Sequence, residues 1–305
     1  MQAIILLGGK GTRLQGLYPD RPKALVPIAG RPFLQCQLEW LARHGIRDAH
    51  LAAGYKAQVV RDWASTAMQG GAITVSAEPH PLGTGGGLKY VEPFIRTDPF
   101  LILNGDSFLP NLDFQALVDN GQTPGTLITL AITRIESAGR YGTVEFDARK
   151  RVTAFREASR GDKLRGNLLR RSSLGYAGRV FAEPCDLSGE ALAKTEASTA
   201  IPADSNLRRQ GYGGQESKGF LAKKGETAAH TGGWINGGVY LAHQALLNHI
   251  ETDKNLSLET DIFPALCAGD QLRVFPAEPP LLDMGTPDGI QAMERYLRNP
   301  ATHLA

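Results

Sequence analysis

The chain has few cysteines, few aromatics, no long apolar run and almost no net charge, and each shortage excludes something. Its three cysteines (Cys36, Cys185 and Cys267) are an odd number without CxxC spacing, so neither a disulfide framework nor a cysteine-built zinc site is expected. That usage fits a reducing compartment. No stretch approaches the roughly 18 apolar residues of a membrane span, and the start lacks the basic segment and apolar core of a secretory leader. The chain is therefore read as cytoplasmic, with no membrane partner. Basic residues number 33 against 31 acidic ones, a net charge of +2, which neither requires nor forbids a polyanionic partner. No second histidine stands at ligand spacing from His80 or His230, so both read as surface-loop residues rather than metal ligands.

What is present is ordinary soluble composition, 42% hydrophobic and 21% charged over 305 residues, enough for one large α/β domain or two smaller ones. Ala3 to Leu7 form an unbroken apolar run, as a strand buried on both faces requires. The run stops at Gly8-Gly9-Lys10-Gly11-Thr12-Arg13-Leu14, and Arg21-Pro22-Lys23 follows. Glycines let a backbone turn its N–H groups onto a phosphate without a Cβ in the way. Arg13 adds a planar cationic fork and Lys23 a point charge. The loop is not a Walker loop, which needs Gly-Lys followed by Ser or Thr, and Leu14 occupies the third glycine of a Rossmann fingerprint. The plain alternatives are a tight turn for the glycines and solvated surface cations for Arg13 and Lys23. A phosphate-rich ligand above the carboxyl end of a first strand explains all of them together.

Strands and helices alternate through the first half. Helical apolar spacing runs from Pro32 to Gly45, with Gly45 as the stop, and again from Lys56 to Met68. Strands are read at Ala49 to Ala53, Ile73 to Ala77, Phe100 to Leu103, Thr126 to Thr133 and Trp234 to Leu241. Thr286 reads as the cap of a final helix from about Pro287 to Leu297. This rhythm predicts a doubly wound, mainly parallel mixed sheet of Rossmann-like α/β type, with ligands beyond the strands' carboxyl ends.

The glycine loop with the downstream Pro22-Lys23-Ala24-Leu25-Val26-Pro27 resembles the sugar nucleotidyltransferases, which join a sugar 1-phosphate to a nucleoside triphosphate and release pyrophosphate. Pro81-Leu82-Gly83-Thr84-Gly85-Gly86-Gly87 resembles that family's nucleobase and ribose loop. Leu103-Asn104-Gly105-Asp106-Ser107 resembles its strand ending in a metal-binding aspartate. Asn236-Gly237-Gly238-Val239-Tyr240 and Asp283-Met284-Gly285-Thr286-Pro287 resemble its late sugar and metal motifs, and Arg140-Tyr141-Gly142 its turn before a strand. The combination most resembles the D-glycero-D-manno-heptose 1-phosphate guanylyltransferases, with mannose 1-phosphate guanylyltransferases next. Regulatory members that bind sugar nucleotides without turning them over are the alternative of another class. No β-helix repeat follows the late motifs, so a catalytic domain without an acyltransferase tail is expected, compatible with a homo-oligomer.

The resemblance implies a nucleoside triphosphate (GTP) and a sugar 1-phosphate as partners and Mg²⁺ as cofactor. Leu7, Gly8, Gly9, Gly11, Thr12, Gly83 and Thr84 would surround the nucleotide, and Arg13 would grip the triphosphate and the leaving pyrophosphate. Lys23 would bridge the nucleotide and sugar phosphates. Asp106 and Asp283 would hold the metal as hard oxygen donors, against the plainer readings of a cap and a helix N-terminal charge. Gly105, Glu157, Lys224, Asn236 and Gly238 would line the sugar pocket.

Between Ala158 and Lys223 the character changes. Eleven Lys or Arg stand against seven Asp or Glu, apolar periodicity is lost, and Arg170–Gly178 is echoed by Arg208–Gly214. Such composition buries too little apolar surface to offset ordering entropy, so 158–223 is read as a largely disordered insertion into a single catalytic domain of residues 1–305. Deleting it would join Phe155-Arg156-Glu157 to Lys224-Gly225-Glu226, restoring the Glu-Lys motif of the resemblance. Loop closure grows only logarithmically with length, so the fold tolerates it. The block contains no folded nucleic-acid module, and no nucleic-acid partner is expected. Limited proteolysis should therefore cut first within 158–223; a resistant block would mark it as a folded subdomain.

Overall fold

The computed structural model describes residues 1–14, 16–67, 72–136, 142–156 and 233–299. The 158–223 insertion, with Glu157, Lys224, His230, Arg140 and Tyr141, lies outside these residues. Every described residue belongs to one compact unit.

Nine strands of the described residues form one mixed sheet: β1 Gln2–Leu7, β2 Asp48–Ala53, β3 Ala72–Ala77, β4 Phe100–Asn104, β5 Ile128–Ile135, β6 Thr143–Phe146, β7 Val152–Arg156, β8 Gly233–Ala242 and β9 Leu272–Pro276. The order is β7-β6-β8-β4-β1-β2-β3, with β5 pairing both β8 and β9. β4, β1, β2 and β3 are parallel neighbours, whereas β8 runs antiparallel to β4, β5 and β6. Six α-helices of the described residues complete the layers: α1 Phe33–Arg43, α2 Ala57–Ala67, α3 Gly83–Tyr90, α4 Phe114–Gly121, α5 Phe263–Ala268 and α6 Pro287–Arg298. This is the doubly wound mixed sheet expected from the sequence. The chain steps outward from β1 to β2 to β3, then crosses through α3 to β4 on the other side of β1. That reversal opens a crevice above the carboxyl ends of β1 and β4.

β1 is buried along its full length and alternates between two cores. Ala3, Ile5 and Leu7 face the layer holding Phe33, Leu34, Trp40 and Leu41 of α1, while Ile4 and Leu6 face Leu88 of α3 and Phe263 and Leu266 of α5. Both faces are covered, so the strand reads as a continuous apolar run without alternation. Gly45 ends α1 with φ +79 as anticipated, and the Thr286 hydroxyl accepts from the Gly289 N–H at the start of α6.

The glycine-rich stretch 83–87 departs from a loop reading, because it forms the first turns of α3. Glycine disfavours helix by about 1 kcal/mol per residue relative to alanine. Here the bare face is what allows the partner segment to lie against it: Gly85 N–H donates to the Leu256 carbonyl at 2.7 Å, and Leu256 N–H returns to the Leu82 carbonyl at 2.9 Å. Tertiary hydrogen bonds override local propensity. No helix of the described residues is long and apolar enough to cross a membrane.

His50 in β2 is wholly buried, stacked on Phe94 at 4.6 Å between ring centroids. Its ring nitrogens lie 2.7 Å from Thr74 Oγ1 and 2.9 Å from Ser76 Oγ. Burial, helped by the Arg96 charge, lowers its pKa from 6.5 to about 4. A folded-state pKa below the unfolded one means that the neutral ring's contribution is complete above pH 6.5 and is lost as pH falls towards 4. The unfolding free energy should fall from pH 7 to pH 5 with a slope of up to about 1.4 kcal/mol per pH unit from this group, read as a lower melting midpoint. His50→Gln should be visibly flatter over that window; equal slopes would refute the assignment.

Candidate active site

The loop after β1 is anchored at its far end by Leu14, which is buried and whose N–H donates to the Gly11 carbonyl at 2.8 Å. Gly8 is half-buried, while Gly9, Thr12 and Arg13 are exposed at the crevice side. Leu7 sits in the core, so any contact it makes with a ligand is through its backbone. Arg13 has no hydrogen-bond or ion-pair partner among the described residues, which leaves its guanidinium available.

Lys23 begins a single 3₁₀ turn, Lys23–Leu25, pinned by buried Ala24 and Leu25. Its stem packs against the glycine loop: a Cβ on Gly11 would lie 3.1 Å from Lys23 Cβ. Its ammonium donates to Asp106 Oδ2 at 2.6 Å and lies 4.0 Å from Asp283 Oδ1. Three residues from distant parts of the chain thus meet at one point.

Local structure explains the meeting. Gly105 N–H donates to the Leu6 carbonyl at 3.0 Å, drawing the end of β4 tightly onto β1, where a side chain would collide with the Leu6 carbonyl. Beyond it, Ser107–Phe108 pairs antiparallel with Leu282–Asp283, with Asp283 opposite Ser107. Met284 N–H closes the arrangement on the Asp106 carbonyl at 3.0 Å, and Gly285 N–H fixes Asp283 Oδ1 at 2.7 Å. From below, the buried Gln37 of α1 donates to the carbonyls of Asn104 and Ser107, at 3.0 and 2.9 Å. Burial opposes ionisation of Asp106, but the Lys23 charge and hydrogen bond, with the Ser107 hydroxyl, outweigh it and hold the carboxyl below the ordinary aspartate range. Gln37 is a supporting residue that the apolar periodicity of α1 conceals.

A third carboxylate at the crevice escaped sequence reasoning. Glu78 follows β3 and sits in a cradle of glycines. A Cβ on Gly8 would lie 3.0 Å from Glu78 Oε1, one on Gly54 3.0 Å from Oε2, and one on Gly87 2.7 Å from Oε1. Burial pushes its carboxyl up, partly opposed by the Leu82 N–H and the nearby His80. His80 itself pairs with Asp253 at 2.8 Å on the surface.

Gly83 opens α3 with φ +72. The Thr84 hydroxyl is engaged by protein on both sides: it accepts from Leu258 N–H at 2.8 Å and donates to Glu259 Oε2 at 2.9 Å. Asn236 lies at a break in the β8–β5 register, between the pairs Asn236↔Ile132 and Tyr240↔Leu130. The extra residues include Gly238 at φ +71, where a Cβ would also press on Ser107. The bulge begins just after Asn236, and the Asn236 Oδ1 accepts from Gly238 N–H at 3.0 Å. The structure therefore gathers Gly8, Gly11, Lys23, Gly105, Asp106 and Asp283 around one point, with Glu78 and Gly83 on one flank and Asn236 and Gly238 on the other.

The profile of the nucleotidyl transferase family matches residues 2–299. A D-glycero-alpha-D-manno-heptose 1-phosphate guanylyltransferase of Campylobacter jejuni is 39% identical over 157 residues, 52% of this chain and 68% of that protein. A mannose-1-phosphate guanylyltransferase of Mycobacterium tuberculosis is 37% identical over 158 residues, covering 52% of this chain but 44% of that protein. Among solved structures, HddC from Yersinia pseudotuberculosis complexed with GMP-PN superposes with a TM-score of 0.66 at 20% identity, over 97% of this chain and 99% of that one; this likeness is one of fold. With a profile matched from the first strand to the last helix, the chain belongs to the nucleotidyl transferase family, a family of enzymes.

Proposed function

We propose that this chain is a sugar-1-phosphate guanylyltransferase acting in the cytoplasm, with D-glycero-D-manno-heptose 1-phosphate as its sugar substrate and mannose 1-phosphate as the competing choice. The observation that carries the base assignment is the Glu78 carboxylate on its bed of Gly8, Gly54 and Gly87. The Watson–Crick edge of guanine offers two adjacent donors, N1–H and the 2-amino group, and an ionised carboxylate is acceptor-only. Uracil offers one N–H between two carbonyls and pairs with it less completely. The names of the C. jejuni and M. tuberculosis relatives support guanylyl transfer and support heptose or mannose as the sugar.

In the reaction, an oxygen of the sugar 1-phosphate attacks the α-phosphorus of GTP in line. The new P–O bond forms as the bond to the bridging oxygen breaks, and the electron pair leaves with pyrophosphate. The attacking oxygen is already anionic, so no general base is required. The obstacle is bringing two polyanions together and stabilising the charge that moves onto the leaving group. The glycine-loop N–H groups and Arg13 take the β- and γ-phosphates, and Arg13 stays with the pyrophosphate as it departs. Lys23 faces the two phosphates that become joined.

Asp106 and Asp283 fit Mg²⁺. Both are hard oxygen donors, both already converge on one cation, the Lys23 ammonium, and two protein carboxylates suit an ion that keeps waters and substrate phosphates as its other ligands. Bound there, Mg²⁺ would offset phosphate charge as the leaving group departs. Glu157 and Lys224 are kept as sugar and sugar-phosphate contacts on the strength of the rejoined motif alone.

Pyrophosphate release should be Mg²⁺-dependent and fastest with GTP among the four common nucleoside triphosphates, tested against heptose and mannose 1-phosphates; turnover confined to another nucleotide would refute the guanylyl assignment. Asp106→Asn should lower kcat at least about 100-fold without shifting the melt, and near-wild-type activity would remove Asp106 from the metal site. Glu78→Gln replaces an acceptor pair by one acceptor and one donor. It should lower kcat/KM for GTP about 100-fold and favour UTP, and the acid-side rise in KM for GTP, placed above the ordinary glutamate range by the raised Glu78 pKa, should disappear. Unchanged base preference in this variant would sink the role given to Glu78.

A further inference from the structure

Three hydroxyl groups from separate elements converge on one carboxylate, Glu259. Thr84 at the start of α3 donates to Oε2 at 2.9 Å, Ser257 donates to the same oxygen at 2.8 Å, and the buried Tyr240 of β8 donates to Oε1 at 3.4 Å. Behind Tyr240 the chain of bonds continues. Its phenolic oxygen accepts from Asn236 Nδ2 at 2.8 Å and from Asn104 Nδ2 at 3.5 Å, and Asn236 Oδ1 accepts from Gly238 N–H.

The direction of these bonds is fixed from both ends, because the Glu259 carboxylate can only accept and the Gly238 N–H can only donate. An ionised carboxylate can only accept, so the single phenolic proton of Tyr240 is spent on it. The Tyr240 oxygen must then receive, and Asn236 must turn its amino end to it. The carbonyl end of Asn236 is thereby set against the Gly238 N–H, where the opposite orientation would place two donors face to face. What remains of Asn236 is one N–H and one oxygen lone pair in a fixed order.

We propose that Glu259 is a positioning residue that, through Tyr240 and together with the Gly238 N–H, holds the amide orientation of Asn236, and so helps decide which sugar hydroxyls are read as donors and which as acceptors. The inference rests on the assignment of Asn236 to the sugar pocket. Glu259 touches neither substrate. It acts on one flank through Tyr240, and its bond to Thr84 ties that flank to the helix beside the nucleotide.

The test is steady-state kinetics of the full chain with GTP and the sugar 1-phosphate it turns over, for Glu259→Gln, Tyr240→Phe, the double variant and Asn236→Ala, with melting midpoints alongside. A glutamine can donate to Tyr240 and so set that end of the chain against the Gly238 N–H at the other; a phenylalanine removes its middle. Each single variant should raise KM for the sugar phosphate about five- to tenfold, the effect of one misdirected hydrogen bond, with KM for GTP within about twofold of wild type by the same reasoning. The double variant should be no worse than Tyr240→Phe, as expected of groups acting in series. Additive losses, or parallel rises in both KM values tracking a lowered melting midpoint, would overturn the relay. If Glu259→Gln does not fold, Tyr240→Phe decides alone, since it leaves the Thr84 and Ser257 bonds in place. A normal sugar KM in Asn236→Ala would overturn the relay through its premise while leaving the transferase assignment intact, whereas absence of turnover in the wild type with every nucleotide and sugar phosphate would overturn both.

Discussion

Two carboxylates do not stay together in a half-buried crevice unless a cation lies between them, and Lys23 is that cation. Its ammonium touches Asp106 and reaches to 4.0 Å from Asp283. At an effective dielectric near 20, unit charges about 4 Å apart attract by about 4 kcal/mol, comparable with the several kcal/mol that desolvating each ion costs. The attraction wins by a modest margin, keeping Asp106 ionised, so the cluster holds its geometry without being locked. The proposed binding of a divalent ion and two phosphorylated substrates needs that balance. A pair stabilised much more strongly would resist exchange of partners, and carboxylates with no cation between them would protonate or move apart.

Holding the cluster in place is the work of close backbone approach. Gly105 lets the end of β4 touch β1, Gly285 lets the chain turn over Asp283, and Gly11 lets the Lys23 stem lie on the phosphate loop. On the nucleotide flank the same device seats the Glu78 carboxylate against three bare Cα atoms. Glycine costs stability within regular structure. Those costs are offset here by the sheet, whose β1 is covered on both faces and fixes the positions from which the loops depart.

The parallel half of the fold was legible because strands buried on both faces leave unbroken apolar runs and α1 and α2 leave 3.6-residue stripes, and both signals are local. Lys23, Asp106 and Asp283 were legible as residue types through motif resemblance, though nothing in their spacing foretold that one ammonium would sit between the two acids. α3 was hidden, because its stability comes from Leu256 across the chain rather than from residues 83–87 themselves. Gln37 was hidden as the polar member of an apolar stripe. Glu78 and Glu259 were hidden for a deeper reason: a lone carboxylate in sequence reads as a solvated charge. Their roles arise from glycines and hydroxyls contributed by segments far away in the chain.

The two halves of the crevice accordingly use different physics. On the side proposed for metal and phosphate, interactions are between full charges, strong and weakly directional, suited to ligands whose charge is large and whose shape is symmetric. On the sugar side, the groups are neutral amides and hydroxyls whose hydrogen-bond polarity must be fixed before they can discriminate one hydroxyl pattern from another. An isolated Asn236 could present either end of its amide. Held between the Gly238 N–H, which can only donate, and Tyr240, whose proton goes to a carboxylate that can only accept, it can present one. Discrimination among sugars that differ by the orientation of a hydroxyl then depends on a charge one residue removed from the pocket, which is why Glu259 matters to specificity without needing to touch the sugar.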